Sequence, residues 1–182
     1  MACTLNSGRT EPCKDVVGGI TAVYFLDFGN VATVDELTDQ ISDFAASATA
    51  YKYEVKGNSS LTQNINSSRE NGTTFFEQVL SLTLHKLSAV DNKEIKLLAY
   101  GRPHIIVEDN NGDFYLMGRE YGADVTGGTI VTGAAMGDMS GYTLTFTAME
   151  KMPANYAALT FAAGVDPDPD TLSIGTATLT IA

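Results

Sequence analysis

Few side chains in this 182-residue chain are spaced to do chemistry. Histidine occurs twice, at His85 and His104, and cysteine twice, at Cys3 and Cys13. The histidines lie far from the cysteines, their spacing fits no zinc motif, and two thiols alone do not complete a four-ligand site. No metal or cofactor is expected. Cys3 and Cys13 could meet in a disulfide, but in a reducing compartment they read as ordinary thiols. Two carboxylate clusters could attract a cation. Asp109-Asn110-Asn111-Gly112-Asp113 lacks the spaced carboxylates and distal Glu of a calcium loop, and its Asn-Gly pair fits a tight turn instead. Asp166-Pro167-Asp168-Pro169-Asp170 reads as a stiff, solvated acidic turn, because proline favours extended backbone. Gly127-Gly128 is not followed by the Lys-Ser/Thr of a phosphate loop, and neither a nucleophile elbow nor a paired-histidine motif occurs. A carboxylate pair for glycoside hydrolysis is conceivable in any acidic chain, but there is no Trp to form a sugar platform. The expectation is a protein that is not an enzyme.

Charge and composition bound the partners. The net charge is −11, shared almost evenly between the two halves of the chain. No basic stripe is present to grip phosphates, so tight nucleic-acid binding is disfavoured. An acidic surface keeps a protein soluble, and it also lets DNA pass without sticking. Hydrophobic residues make up 44% of the chain, enough for a core. No apolar run reaches bilayer length and the N-terminus lacks a signal-peptide pattern, so no membrane partner is expected. The sequons at Asn58, Asn66 and Asn71 then read as coincidences of a Ser/Thr/Asn-rich segment.

The elements that would position these residues are mostly strands. Residues 1–18 read as an irregular arm. Ile20 to Phe28 is apolar on both faces and predicts a buried strand. Residues 29–48 mix helical signals with others that suit an extended loop or a hairpin equally well, and are read as a long excursion between strands. Thr49 to Lys56 alternates, with Tyr51, Tyr53 and Val55 on one face and Lys52, Glu54 and Lys56 on the other. Leu61 to Asn66 suits a polar edge strand. After the Asn71-Gly72 turn, Thr73 to Leu87 is the longest strand candidate, with Phe76, Leu80, Leu82 and Leu84 on its core face. A short helix is expected at about 92–100, capped by Asp91 with Glu94 as partner, with Ile95, Leu97 and Leu98 as its apolar side. Gly101 would supply a left-handed exit before Pro103. A hairpin follows, from His104 to Gly118. Residues 119–140 read as a Gly/Thr/Ala-rich loop in which backbone can approach backbone, leading into a strand at 141–149. Residues 157–163 and 171–181 suggest a terminal hairpin. Aromatic residues at strand spacing, such as Tyr51 with Tyr53 and Phe75 with Phe76, suit core or subunit contacts. Together these predict a mainly antiparallel β-sandwich or half-barrel with one short flanking helix.

The opening Met1-Ala2-Cys3-Thr4-Leu5, the Cys13-Lys14-Asp15 and Gly18-Gly19-Ile20 segments, the Glu70-Asn71-Gly72-Thr73 lead into a long strand, Glu94-Ile95-Lys96-Leu97-Leu98, and the stretch from Gly118-Arg119-Glu120 to Lys151 resemble one group. It is a set of tail tube-like virion structural proteins from tailed bacteriophages of Bacteroidetes hosts. The resemblance covers residues 1–152, and 153–182 look like a C-terminal β extension. It implies a tail-tube fold and stacked, usually hexameric rings whose inner strands join around the channel that conducts double-stranded DNA during ejection. It also implies partners among other phage tail and neck proteins and a place in the virion tail, assembled in the host cytoplasm. On that reading Gly127, Gly128, Thr129, Met136 and Met139 are candidate subunit contacts, and Lys52, Glu54 and Lys56 candidate lumen residues. A neck, collar or tail-terminator ring protein is one alternative. A carbohydrate-binding β-sandwich of an adhesin or head fibre is another, disfavoured by the absence of Trp.

Overall fold

The computed structural model describes residues 8–11, 13–35, 40–44, 48–157, 160–161, 171–174 and 177–181. These form two β-sheets and one helix, a β-sandwich with a short flanking helix. In chain order the elements are β1 (Ile20–Leu26), β2 (Val31–Asp35), β3 (Gln40–Phe44), β4 (Thr49–Glu54), β5 (Ser60–Ser68), β6 (Thr73–His85), α1 (Ala89–Tyr100), β7 (His104–Asp109), β8 (Phe114–Met117), β9 (Asp124–Val131), β10 (Gly141–Glu150), β11 (Asn155–Ala157), β12 (Thr160–Phe161), β13 (Thr171–Ile174) and β14 (Ala177–Ile181).

One sheet has ten strands in the order β12-β13-β14-β4-β1-β7-β8-β11-β3-β2. It curls until β13 and β14 come against β3 near its far end. The other sheet has four, in the order β5-β6-β10-β9, all antiparallel. Two cores result. The first lies between the sheets: Val23, Phe25, Ile105 and Val107 on one side meet Leu80, Leu82, Leu144 and Phe146 on the other. The second fills the curl of the large sheet, with Tyr24, Leu26, Ile41, Ile106, Phe114 and Leu116 among its members. β1 serves both, which is why its sequence is apolar on both faces. Full burial of each Leu or Phe here is worth about 1.5–3 kcal/mol.

Four expectations need correction. The stretch 29–48 is not one loop, because β2 and β3 lie within it and pair with each other. The Gly/Thr/Ala segment is also largely strand: β9 occupies Asp124–Val131 against β10, with a register shift between Thr145 and Phe146 that leaves Thr126 as the extra residue. The helix starts earlier, at Ala89. Its cap is Ser88, whose Oγ accepts from the Asp91 N–H at 3.0 Å and donates to the Asp91 carboxylate at 2.6 Å. Asp91 is thus the residue bonded to the cap, through its N–H and its carboxylate, rather than the cap itself. Gly101 ends the helix with φ −93°, not left-handed, and its N–H returns to the Leu97 carbonyl at 3.0 Å. Ile95 is buried and Leu98 packs on the first core, but Leu97 turns to solvent.

The long strand β6 has its expected core face. The hairpin from β7 to β8 is also present, and of the Asn-Gly pair only Gly112 takes positive φ, at 85°. The C-terminal segment is woven into the large sheet: β11 pairs with β8 and β3, and β14 pairs in parallel with β4. β12 and β13 pair across the expected terminal turn, but 171–181 is not one arm, because it divides into β13 and β14, which pair with each other; the acidic turn at Asp166–Asp170 lies outside the described residues, as does Cys3. Among the described residues no helix is long and apolar enough to cross a membrane.

Candidate functional site

The four-stranded sheet carries the least usual feature of the molecule. Among the described residues its outer strands, β5 and β9, each pair on one side only. β5 is nine residues long and β9 eight, so each leaves a row of backbone N–H and C=O groups facing outward. Monomeric proteins blunt such edges with Lys, Pro or inward charge. β5 (SLTQNINSS) has no charged residue and no proline, and β9 (DVTGGTIV) has only Asp124 at its first position. The bulge at Thr126 is the one blunting device on either edge.

Of the candidate contact residues, Gly127, Gly128 and Thr129 lie on this open β9 edge, exposed. The two glycines differ. A Cβ on Gly128 would sit 2.7 Å from the Thr143 carbonyl oxygen, so glycine is needed there for close strand approach, whereas a Cβ on Gly127 meets nothing within 4 Å. Met136 stands at the tip of the loop from β9 to β10, entirely exposed, and Met139 is half-buried in the same loop. The loop is stapled by Asp138, whose Oδ2 accepts from the N–H groups of Ala134 and Ala135 at 2.9 and 2.8 Å. These bonds hold the Asp138 carboxyl below the usual carboxylate range.

The faces of this sheet are chemically distinct. The inner one is mostly apolar, with Gln78 and Glu150 buried toward one end. The outer one presents Thr143, Thr145 and Thr147 of β10 beside Ser81 and Val79 of β6 and Thr129 of β9. Its charged members are Glu77 and Asp124, and no Lys or Arg occurs on any of the four strands.

The candidate lumen residues lie elsewhere. Lys52 and Glu54 sit on β4 of the ten-stranded sheet, on the face turned away from the four-stranded one, and pair at 3.5 Å. Their neighbour Tyr24 donates to Glu108 at 2.7 Å. Burial, then that bond and the nearby charge of Glu108 and Glu54, push the Tyr24 phenol well above its usual range. Lys56 follows β4 and is exposed.

The remaining titratable groups act as structural ties. His104 is buried; its Nε2 accepts from the Gly29 N–H at 2.9 Å and its Nδ1 donates to the Gly118 carbonyl at 2.6 Å. Burial lowers its pKa, outweighing the bond to Gly118. Glu150 accepts from the N–H groups of Glu120 and Tyr121, both at 2.9 Å, and fixes the turn after β8. Burial raises its pKa against the pull of those bonds. Asp109 is pushed up by its partial burial, but bonds from Asn111, Asp113 and Gly112 win and hold it low. That carboxylate is satisfied by its own hairpin, and no cluster of metal-ligating side chains occurs among the described residues. Cys13 is an exposed free thiol.

Sequence reasoning missed a hollow of about 300 Å³ beside the C-terminal half of α1, lined by Phe28, Tyr51, Tyr53, Leu97, Leu98 and Arg102 among others. Phe28 stacks on His104 with ring centroids 5.0 Å apart, and the Arg102 guanidinium lies 4.1 Å above Phe28. The Phe28-Gly29 break and Arg102-Pro103 were visible in sequence, but nothing there shows that they meet. No protein-family model, curated protein or solved structure matches the chain.

Proposed function

We propose that this chain is a virion structural protein, the subunit of a bacteriophage tail tube, and that it works by self-assembly rather than catalysis. The observation that carries this reading is the pair of long edges on one small sheet, free of proline and of any charge but Asp124. Pairing β9 of one copy with β5 of the next removes both hazards at once and closes a ring. The four-stranded sheet would then form the inner wall. With four strands per copy, a hexameric ring gives a barrel of about 24 strands, roughly 37 Å across between backbones before strand tilt widens it. That leaves a channel wide enough for a nucleic-acid duplex.

The charge pattern supports the same reading. The face left for the lumen is the hydroxyl-rich outer face, with Glu77 and Asp124 but no cation on its strands. Such a wall repels or ignores phosphates, so double-stranded DNA slides through without binding. This moves the lumen from Lys52 and Glu54 to residues such as Ser81, Thr143, Thr145 and Thr147. The protein would act in the virion tail after assembly in the host cytoplasm, beside other tail and neck proteins.

Solution mass together with negative-stain microscopy of the purified protein tests this. Tubes with an open channel are expected. Isolated rings that never stack would assign the chain to a neck, collar or terminator ring instead. A persistent 19.3 kDa monomer that binds glycans would point to a carbohydrate-binding module.

A further inference from the structure

The stapled loop presents an exposed apolar tip beside one carboxylate, and the hollow beside α1 presents apolar walls with an arginine on its rim. Met136 is 109% exposed, so its whole thioether lies in water, although Asp138 and a bond from the Lys86 N–H to the Ser140 carbonyl (2.8 Å) hold its loop in place. A large apolar side chain on a pre-ordered tip loses little conformational freedom on docking. The hollow offers what such a tip fits. Phe28, Tyr51 and Leu97 are 43%, 45% and 55% exposed, and aromatic walls favour methionine sulfur. Charge agrees as well. Asp138 is the only charged residue in loop 132–140, and Oδ1 is the oxygen not used by the staple. On the rim of the hollow, Arg102 makes no ion pair among the described residues, while Asp27 and Glu94 mark the side that an approaching carboxylate would avoid.

We infer that Met136 of one copy seats in the α1 hollow of a second copy, with Asp138 facing Arg102. The occupant must come from another molecule. The loop joins the body at the N-terminal end of α1, beside Lys86 and Ser88, whereas the hollow lies along the C-terminal half of a 12-residue helix about 18 Å long. A knob and a socket on different parts of one surface make a head-to-tail contact, which propagates rather than closing as a symmetric dimer. The inference rests on the self-assembly reading, and it places a second contact between copies away from the strand edges.

Crosslinking tests it in the full-length chain. In a background carrying Cys3→Ser and Cys13→Ser, Met136→Cys is combined with Leu97→Cys, and assembled protein is treated with a short bismaleimide. The double variant should give a ladder of covalent multimers on a denaturing gel, while each single variant stays monomer-sized. Particles that scatter light normally but give no ladder would refute the knob and socket and leave self-assembly standing. If no particles form in the wild type, both ideas fall. As an independent check, Met136→Ser, which touches nothing inside the fold, should raise the concentration needed for assembly about tenfold or more, and an unchanged threshold would overturn the contact.

Discussion

Leu82 and His104 show how single side chains set the limits of this fold. Leu82 is fully buried on the core face of β6, opposite Leu144. Leu82→Ala should cost about 2–5 kcal/mol in denaturant unfolding, the cost of lost burial plus a cavity. Leu82→Asp should abolish folding by circular dichroism, because an unpaired carboxylate cannot be solvated there. His104 is neutral in the fold, and both ring nitrogens are used by Gly29 and Gly118. Its folded pKa is lowered, so the unfolded chain binds the proton more readily. The stability it contributes is complete above the unfolded value of about 6.5 and is lost as pH falls from there through the lowered folded value. Melting temperature should therefore drop as pH falls below about 6.5, and His104→Gln should flatten that slope. An identical slope in the variant would remove His104 as the cause. The sequence placed both residues on strands but gave no sign that His104 bridges two loops.

At the scale of elements, local signals located strands well and partners poorly. The alternation in β6 and β10 is strong because each has one buried face, and period two follows directly, whereas in β4 it does not track burial, since Ala50 is buried on the Lys52 face and Tyr51 is exposed. β9 was read as loop because its glycines carry no side-chain period. They are there to let β10 approach, as Gly128 shows. The pair provides a clean experiment. Gly128→Phe should unfold the edge by collision with the Thr143 carbonyl, whereas Gly127→Phe should fold normally by circular dichroism. If the two variants fold alike, close strand approach is not what requires glycine at position 128. The helix start was misread because Asp91 looked like a cap, yet Ser88 sits three residues earlier and its hydroxyl caps the Asp91 N–H. Ser88→Ala should cost about 0.5–2 kcal/mol, measured by urea unfolding.

For the whole molecule, composition and strand pattern were enough to read a β-sandwich with one helix, and that is the architecture found. The curl of the ten-stranded sheet and its second core were not legible, because they depend on long-range pairings such as β14 with β4 and β11 with β3. The proposed assembly surface was only half legible. Gly127 and Gly128 were named for their smallness, but β5 as the complementary edge needs the sheet order. The central claim is that β9 of one copy pairs with β5 of the next. Hydrogen exchange by mass spectrometry, comparing dilute with assembled protein, tests it most directly. Assembly should slow amide exchange strongly within 60–68 and 124–131, since outward N–H groups on both edges gain partners at once. Assembled particles in which both segments still exchange as fast as in the dilute protein would contradict the account.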